Sequence, residues 1–238
     1  SRGLGDVYKR QVMTYKLSDL QDDVTSGTVN CTYMDSNDRI WLCHGDSIVR
    51  YDTRAGTTDR IDSPAPDDIT AITQTDSTNF FIGTSNGLLQ TIEKEGVLET
   101  VAGTYTDSIR IPVSELYFHE DSKQLFIGTF KEGIIAYGMN TTSTIIADGP
   151  LQNVAIKRIT PFGKRQLLVA TGGRGVYKID VDSLSARPYI TADYSNYNGM
   201  NGNNINDIYV DGDGRIWMAN YPTGITIRND RYRSYKWL

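Results

Sequence analysis

Asn204-Ile205-Asn206-Asp207-Ile208-Tyr209-Val210-Asp211-Gly212-Asp213-Gly214-Arg215-Ile216-Trp217-Met218-Ala219-Asn220 reads as two apolar strands folded about one turn. Asp211 to Arg215 suits a three-residue hairpin loop, with Gly214 supplying the positive φ. Pairing Asp211 with Arg215 sets Tyr209 opposite Trp217. The same register near the start, Asp35 with Arg39, sets Tyr33 opposite Trp41. With one extra residue allowed, Tyr117 stands opposite Phe126. Cross-strand aromatic pairs each add roughly 0.2–1 kcal/mol beyond an Ala pair. Three agreements reached independently define the register.

Outward from that hairpin, the same unit recurs. Trp41, Phe81, Phe126, Leu168 and Trp217 each sit in a short apolar run, and the gaps between them are 40, 45, 42 and 49 residues. Such periods belong to propeller blades. Ahead of each run lies a first strand beginning near Val29, Ile69, Val113, Ile156 or Ile205. After it come a turn, with Gly87, Gly133, Gly175 and Gly224 at matching places, and a β-branched run. A more polar fourth strand closes the unit, as in Thr57 to Ile61 and Tyr232 to Trp237. No segment shows a helical period. Ile40, Trp41 and Leu42 are consecutive, so that strand needs cover on both faces, which a neighbouring blade supplies. The expected fold is all-β: a β-propeller of five four-stranded blades, part of a larger, seven-bladed ring. The blades fall at about 26–64, 65–106, 107–150, 151–193 and 194–238. Residues 12–25 read as the outer strand of a preceding blade and a linker. Residues 1–11, with Asp6-Val7-Tyr8-Lys9-Arg10-Gln11, look like a translated sequencing adapter and are set aside. An open arc of blades leaves apolar faces exposed, which predicts poor solubility.

Composition narrows the function. Among 238 residues there are 22 Gly, 15 Tyr and only 7 Pro, as a turn-rich β fold needs. The net charge is -5 with no long basic run, which argues against direct nucleic-acid contact. No apolar stretch is long enough for a membrane-spanning helix.

The run from Asn204 to Asn220, continuing through Tyr221-Pro222-Thr223-Gly224-Ile225-Thr226-Ile227 to Tyr235-Lys236-Trp237, resembles the two-component regulator propeller repeat. The likeness covers residues 12–238 and is weaker in the second and fourth repeats, where Phe81 and Leu168 replace Trp. It implies the periplasmic sensor region of a hybrid two-component histidine kinase and response regulator from Gram-negative gut bacteria. Such sensors carry tandem propellers, respond to oligosaccharides and act as homodimers. The resemblance therefore implies an oligosaccharide ligand, the remaining blades of the same chain as partners, and periplasmic exposure. The kinase would lie outside this chain, which is expected to be no enzyme itself and to need no cofactor. Two alternatives stay open: a free-standing propeller lyase or glycosidase, and a protein-binding scaffold.

Asp211-Gly212-Asp213-Gly214 has the carboxylates of a calcium loop but lacks its bidentate Glu, so it reads as a turn. Gly172-Gly173-Arg174-Gly175 has no helix behind it to hold a phosphate and also reads as a turn. His44 and His119 lie 75 residues apart without matching Cys or carboxylates, so neither metal binding nor a catalytic triad is expected. Sugars call for aromatic rings and planar polar groups on loops that join the second to the third strand, or one blade to the next. Those loops offer His44, Phe130, Lys131, Arg174 and Tyr221, with Tyr194, Asn196 and Tyr197 in an insert. Cys31 and Cys43 fall opposite each other. An oxidising compartment permits a bond, whereas directly opposed strand positions strain one, so their pairing is left open.

Overall fold

The computed structural model describes residues 28–62, 67–101, 109–138, 144–145, 151–192, 200 and 202–229. The first blade comprises β1 (Cys31–Met34), β2 (Arg39–His44), β3 (Ser47–Asp52) and β4 (Thr57–Ile61). The second comprises β5 (Ile69–Gln74), β6 (Asn79–Thr84), β7 (Gly87–Lys94) and β8 (Val97–Thr100). The third has β9 (Val113–His119), β10 (Gln124–Thr129), β11 (Ile134–Gly138) and β12 (Thr144–Ile145). In the fourth are β13 (Ile156–Pro161), β14 (Gln166–Thr171), β15 (Val176–Asp180) and β16 (Ala186–Ile190). The fifth shows β17 (Ile205–Val210), β18 (Ile216–Asn220) and β19 (Gly224–Arg228). Every sheet is an antiparallel meander in chain order. The expected fifth outer strand from Tyr232, the strand at 12–25 and the adapter-like segment lie outside the described residues.

The expected register holds: Tyr33 pairs with Trp41, Tyr117 with Phe126 and Tyr209 with Trp217. The hairpin is drawn tight by its Asp. Asp35 Oδ1 accepts the amides of Asn37 and Arg39 at 2.9 and 3.0 Å, and Asp211 Oδ1 those of Asp213 and Arg215 at 3.0 and 2.9 Å. Gly214 has the positive φ assigned to it, 78°, while Asp38 takes that conformation in the first blade. These carboxylates are consumed by the turn, as turn chemistry requires. Cys31 and Cys43 are paired in register and joined as a disulfide, with Cα atoms 5.0 Å apart.

The core lies between blades. Trp41 packs with Ile69, Ile72 and Phe80 of the second blade, and Phe81 with Val113 and Leu116 of the third. Phe126 meets Ile156 and Ile159 of the fourth, and Leu168 meets Ile205 and Ile208 of the fifth. Each anchor thus faces its successor, and β6, β10 and β14 are buried along nearly their whole length. The residue two past each anchor is small: Cys43, Gly83, Gly128, Ala170 and Ala219. A Cβ at Gly83 would stand 2.5 Å from Val113 Cγ1, so the first strand of the next blade enters where a side chain is missing. Trp217, in contrast, is 37% exposed, and Tyr209, Ile225 and Ile227 beside it are exposed too.

Candidate functional site

Two regions qualify: the turns joining second to third strands, and the channel lined by the first strands. The turns are built by a repeated device. Thr84, Thr129 and Thr171, one residue past the small position, are buried, and their hydroxyls donate to the carbonyls of Gly87, Gly133 and Gly175 at 3.0, 2.9 and 2.7 Å. Gly133 has φ 77°, and a Cβ there would lie 2.5 Å from Leu151 O, on the segment leading into the next blade. The turn amides are then tied down in two ways. Leu88 N reaches Ile109 O at 3.2 Å and Gly175 N reaches Asn203 O at 2.7 Å on the following blade. Phe130 N reaches Pro112 O at 3.3 Å and Tyr221 N reaches Asn204 O at 3.0 Å at the entry to their own blade's first strand. Gly45 O accepts from Ile69 N at 2.8 Å.

With their backbones held, the turns point side chains outward. Phe130 is 45% exposed and Tyr221 is 63% exposed, with Lys131 and Arg174 exposed as well. His44 is half-buried at the end of β2. These five residues share one end of the propeller by topology, since all end or follow second strands. Tyr194, Asn196 and Tyr197 lie outside the described residues. His119 is structural: it is buried, its Nδ1 lies 2.8 Å from Ser122 Oγ and its Nε2 2.9 Å from Lys164 O, tying the third blade to the fourth.

The channel is a region the motif reading missed. β1, β5, β9, β13 and β17 enclose an open space of about 860 Å³. Near its mouth, side chains link consecutive blades. Asn30 Nδ2 donates to Ile69 O at 3.1 Å, Thr70 Oγ1 to Val113 O at 2.6 Å and Ser114 Oγ to Ile156 O at 2.7 Å. One residue further along the strands stand Glu115, Arg158 and Asp207. Arg158 bridges the other two, 3.4 Å from Glu115 and 3.6 Å from Asp207, across three blades. Burial pushes the Glu115 carboxyl up to about 7; Arg158 opposes the shift and Asp207 adds to it. Tyr117, also lining the channel, is raised by burial. Across the space, Gln74 Oε1 accepts from Ser36 N at 2.8 Å, while its buried amide nitrogen has no hydrogen-bond partner among the described residues. The signal that would have found the triad is the repeat itself: each member stands two residues after Val113, Ile156 or Ile205.

Among the described residues, no three His, Cys, Asp or Glu side chains gather as metal ligands do, and no helix is long and apolar enough to cross a membrane.

Comparison with known proteins places the fold. Residues 199–221 match the family described as the two component regulator propeller, over the stretch whose hairpin defines the register. The chain is similar in structure to the extracellular domain of BT4673 from B. thetaiotaomicron, described as a putative one component system and, in a second structure, as a putative hybrid two component system. The first superposes with a TM-score of 0.65 at 22% identity, covering 82% of this chain and 26% of that one. The second gives 0.65 at 21%, again over 82% and 26%. The extracellular domain of the putative hybrid two component system BT3049, from the same organism, gives 0.65 at 19%, over 84% of this chain and 26% of that one. No curated protein matches the chain. The chain therefore spans about a quarter of these neighbours, 26%, and shares their propeller fold. It is an all-β chain of propeller blades, the fifth of which matches the two component regulator propeller model over residues 199–221.

Proposed function

We propose that this chain is a ligand-sensing stretch of an extracellular, periplasmic propeller in a hybrid two-component sensor, contributing to oligosaccharide recognition. The observation carrying this reading is the two component regulator match at residues 199–221, set in a fold shared with extracellular sensor domains. In this reading the chain performs no catalysis; it binds, and a histidine kinase encoded beyond it converts binding into phosphoryl transfer. Further blades of the same protein and a second copy of the sensor are its partners.

The turn end supplies the contacts. Phe130 and Tyr221 offer exposed rings for the apolar faces of sugars, and Lys131, Arg174 and His44 supply polar groups beside them. The backbone bonds that tie Phe130 and Tyr221 to the entry of their own blade's first strand keep these side chains in place before a ligand arrives, which limits the ordering cost of binding.

A glycan array probed with the whole chain tests this. Binding of at least one oligosaccharide, recovered at its original length, is the expected result. An array without bound sugar removes the carbohydrate part of the reading, and shortened products would instead mark a lyase or glycosidase.

A further inference from the structure

We propose that the channel wall formed by β9, β13 and β17 is a subsite for one neutral sugar residue, held through adjacent hydroxyls by Glu115, Arg158 and Asp207. This subsite rests on the carbohydrate reading above but lies on the channel wall, one strand in from the turns that follow Gly128, Ala170 and Ala219, among residues that no sequence motif marks.

The chemistry of the row selects the ligand. A carboxylate presents two acceptors side by side and a guanidinium presents paired donors, so each matches two neighbouring hydroxyls. Three such groups stand in sequence on adjacent blades, alternating acceptor, donor, acceptor. The spacing of the row leaves capacity for a guest. The contacts of Arg158 to Glu115 and Asp207, 3.4 and 3.6 Å, exceed a normal N–H···O hydrogen bond, so the guanidinium is positioned by charge with donors still to be matched. Alternating signs disfavour an ionised guest. A carboxylate meeting Arg158 would sit against Glu115 and Asp207, and an ammonium meeting either acid would sit against Arg158. A neutral polyol meets neither penalty.

The surroundings fit a sugar as well. Half-buried Tyr117 lines the same wall and offers an aromatic face to the C–H side of a ring. At about 860 Å³ the channel lies within the roughly 300–1,000 Å³ of small-ligand sites. Glu115, with its carboxyl pushed up to about 7, exchanges between acceptor and donor near neutral pH, as a hydroxyl partner can use in either role.

Saturation-transfer NMR on the whole chain, with cellobiose, xylobiose, mannobiose and lactose in millimolar excess and glucuronate and glucosamine as charged comparators, provides the test. At least one neutral sugar should receive saturation more strongly than both charged ones. Arg158→Gln and, separately, Asp207→Asn should weaken that binding about tenfold, the loss of one or two hydrogen bonds to charged groups. Each variant is first checked for an unchanged thermal midpoint, and the two substitutions together cover the case in which one fails to fold. Weakening in the folded channel variants supports the subsite whether or not Tyr221→Ala also weakens binding. Full binding by both channel variants, with loss in Tyr221→Ala, overturns the subsite and leaves the turn end as the carbohydrate site. Stronger transfer to glucuronate or glucosamine overturns the assignment to a neutral sugar. The absence of transfer to every sugar overturns the subsite together with the carbohydrate reading.

Discussion

The first and fifth blades carry the same local motif in different surroundings. In both, an Asp closes the hairpin, accepts the Trp indole N–H and binds an Arg four residues on. Trp41 Nε1 reaches Asp35 Oδ2 at 2.8 Å, and Trp217 Nε1 reaches Asp211 Oδ2 at 2.9 Å. Arg39 and Arg215 contact those same oxygens at 2.6 and 2.7 Å. Yet Trp41 is 0% exposed and Trp217 is 37% exposed. The difference comes from the second blade. It lays Phe80 against Trp41, ring centroids 4.9 Å apart, and sends Glu93 across to Arg39 at 2.7 and 2.8 Å and to Arg50. Those two guanidinium groups then cover the Trp41 ring at 5.5 and 5.6 Å. The hairpin cluster therefore assembles within one blade, whereas burial and the charge clamp arrive with the neighbour. Local sequence builds the blade. The neighbouring blade supplies the cover over its tryptophan and the charges that clamp it.

Substitution of the two tryptophans breaks this contrast most sharply. Trp41→Ala empties a closed site and should cost about 3–5 kcal/mol, as large-to-small changes in cores do. Trp217→Ala removes a side chain already in partial contact with solvent and should shift the urea midpoint far less, while reducing self-association on gel filtration. Equal shifts in urea unfolding would show that the neighbour contributes little.

An interface covered on both sides gives the next contrast. Glu115 titrates near 7 in the fold against about 4.5 in an unfolded chain, so its contribution to stability is complete below pH 4.5 and is lost as pH rises through 7. The loss amounts to up to about 3 kcal/mol, at 1.36 kcal/mol per pKa unit. Glu115→Gln should flatten that slope and raise the melting temperature relative to wild type at pH 8. An unchanged slope in the variant would remove Glu115 as its source.

The paired aspartates sharpen the comparison further. Burial raises the Asp35 carboxyl, but hydrogen bonds from the Trp41 indole and from Arg39 outweigh it and hold the group below its ordinary range. Its contribution is present above the ordinary carboxylate range and fades as acid protonates it. Asp35→Ala leaves the buried indole N–H unpaired and should cost about 1–3 kcal/mol. The Trp217 indole and Arg215 likewise hold Asp211 well below that range, but water can replace it, so Asp211→Ala should cost less in the same denaturation series. The smallest effect belongs to Glu93→Gln, which keeps the shape of the clamp and loses its charge. It should cost about 1 kcal/mol and make unfolding less sensitive to added salt. An unaltered salt dependence would mean that the clamp acts by packing alone.

Much of the fold was legible because it rests on short-range order. Asp, turn, Gly and Trp at fixed offsets determine a hairpin, and a hairpin repeated at blade-length gaps determines the architecture. The opposition of Cys31 and Cys43 followed from the same register, although their bond was left open. The first strand starts at Cys31, two residues later than Val29, its register beginning with the Cys31–Cys43 pair. The positions of His44, Phe130, Lys131, Arg174 and Tyr221 at the ends of second strands and in the turns after them were legible for the same reason, topology being local. Glu115, Arg158 and Asp207 were not found, because they meet only once three sheets are set side by side. The role of the buried threonines Thr84, Thr129 and Thr171 was not legible either, because their hydroxyl bonds to the Gly87, Gly133 and Gly175 carbonyls exist only once each turn is folded.

The links around the channel mouth have a direction. Asn30, Thr70 and Ser114 each donate forward, and Ile69, Val113 and Ile156 each receive from behind. Removing one donor therefore orphans a carbonyl on the blade that follows and disturbs nothing on the blade before. Injury along these links travels with the chain, from earlier blade to later, and a scan deleting the Asn30 amide and the Thr70 and Ser114 hydroxyls would map its polarity as a one-way sequence of loosened amides in hydrogen exchange.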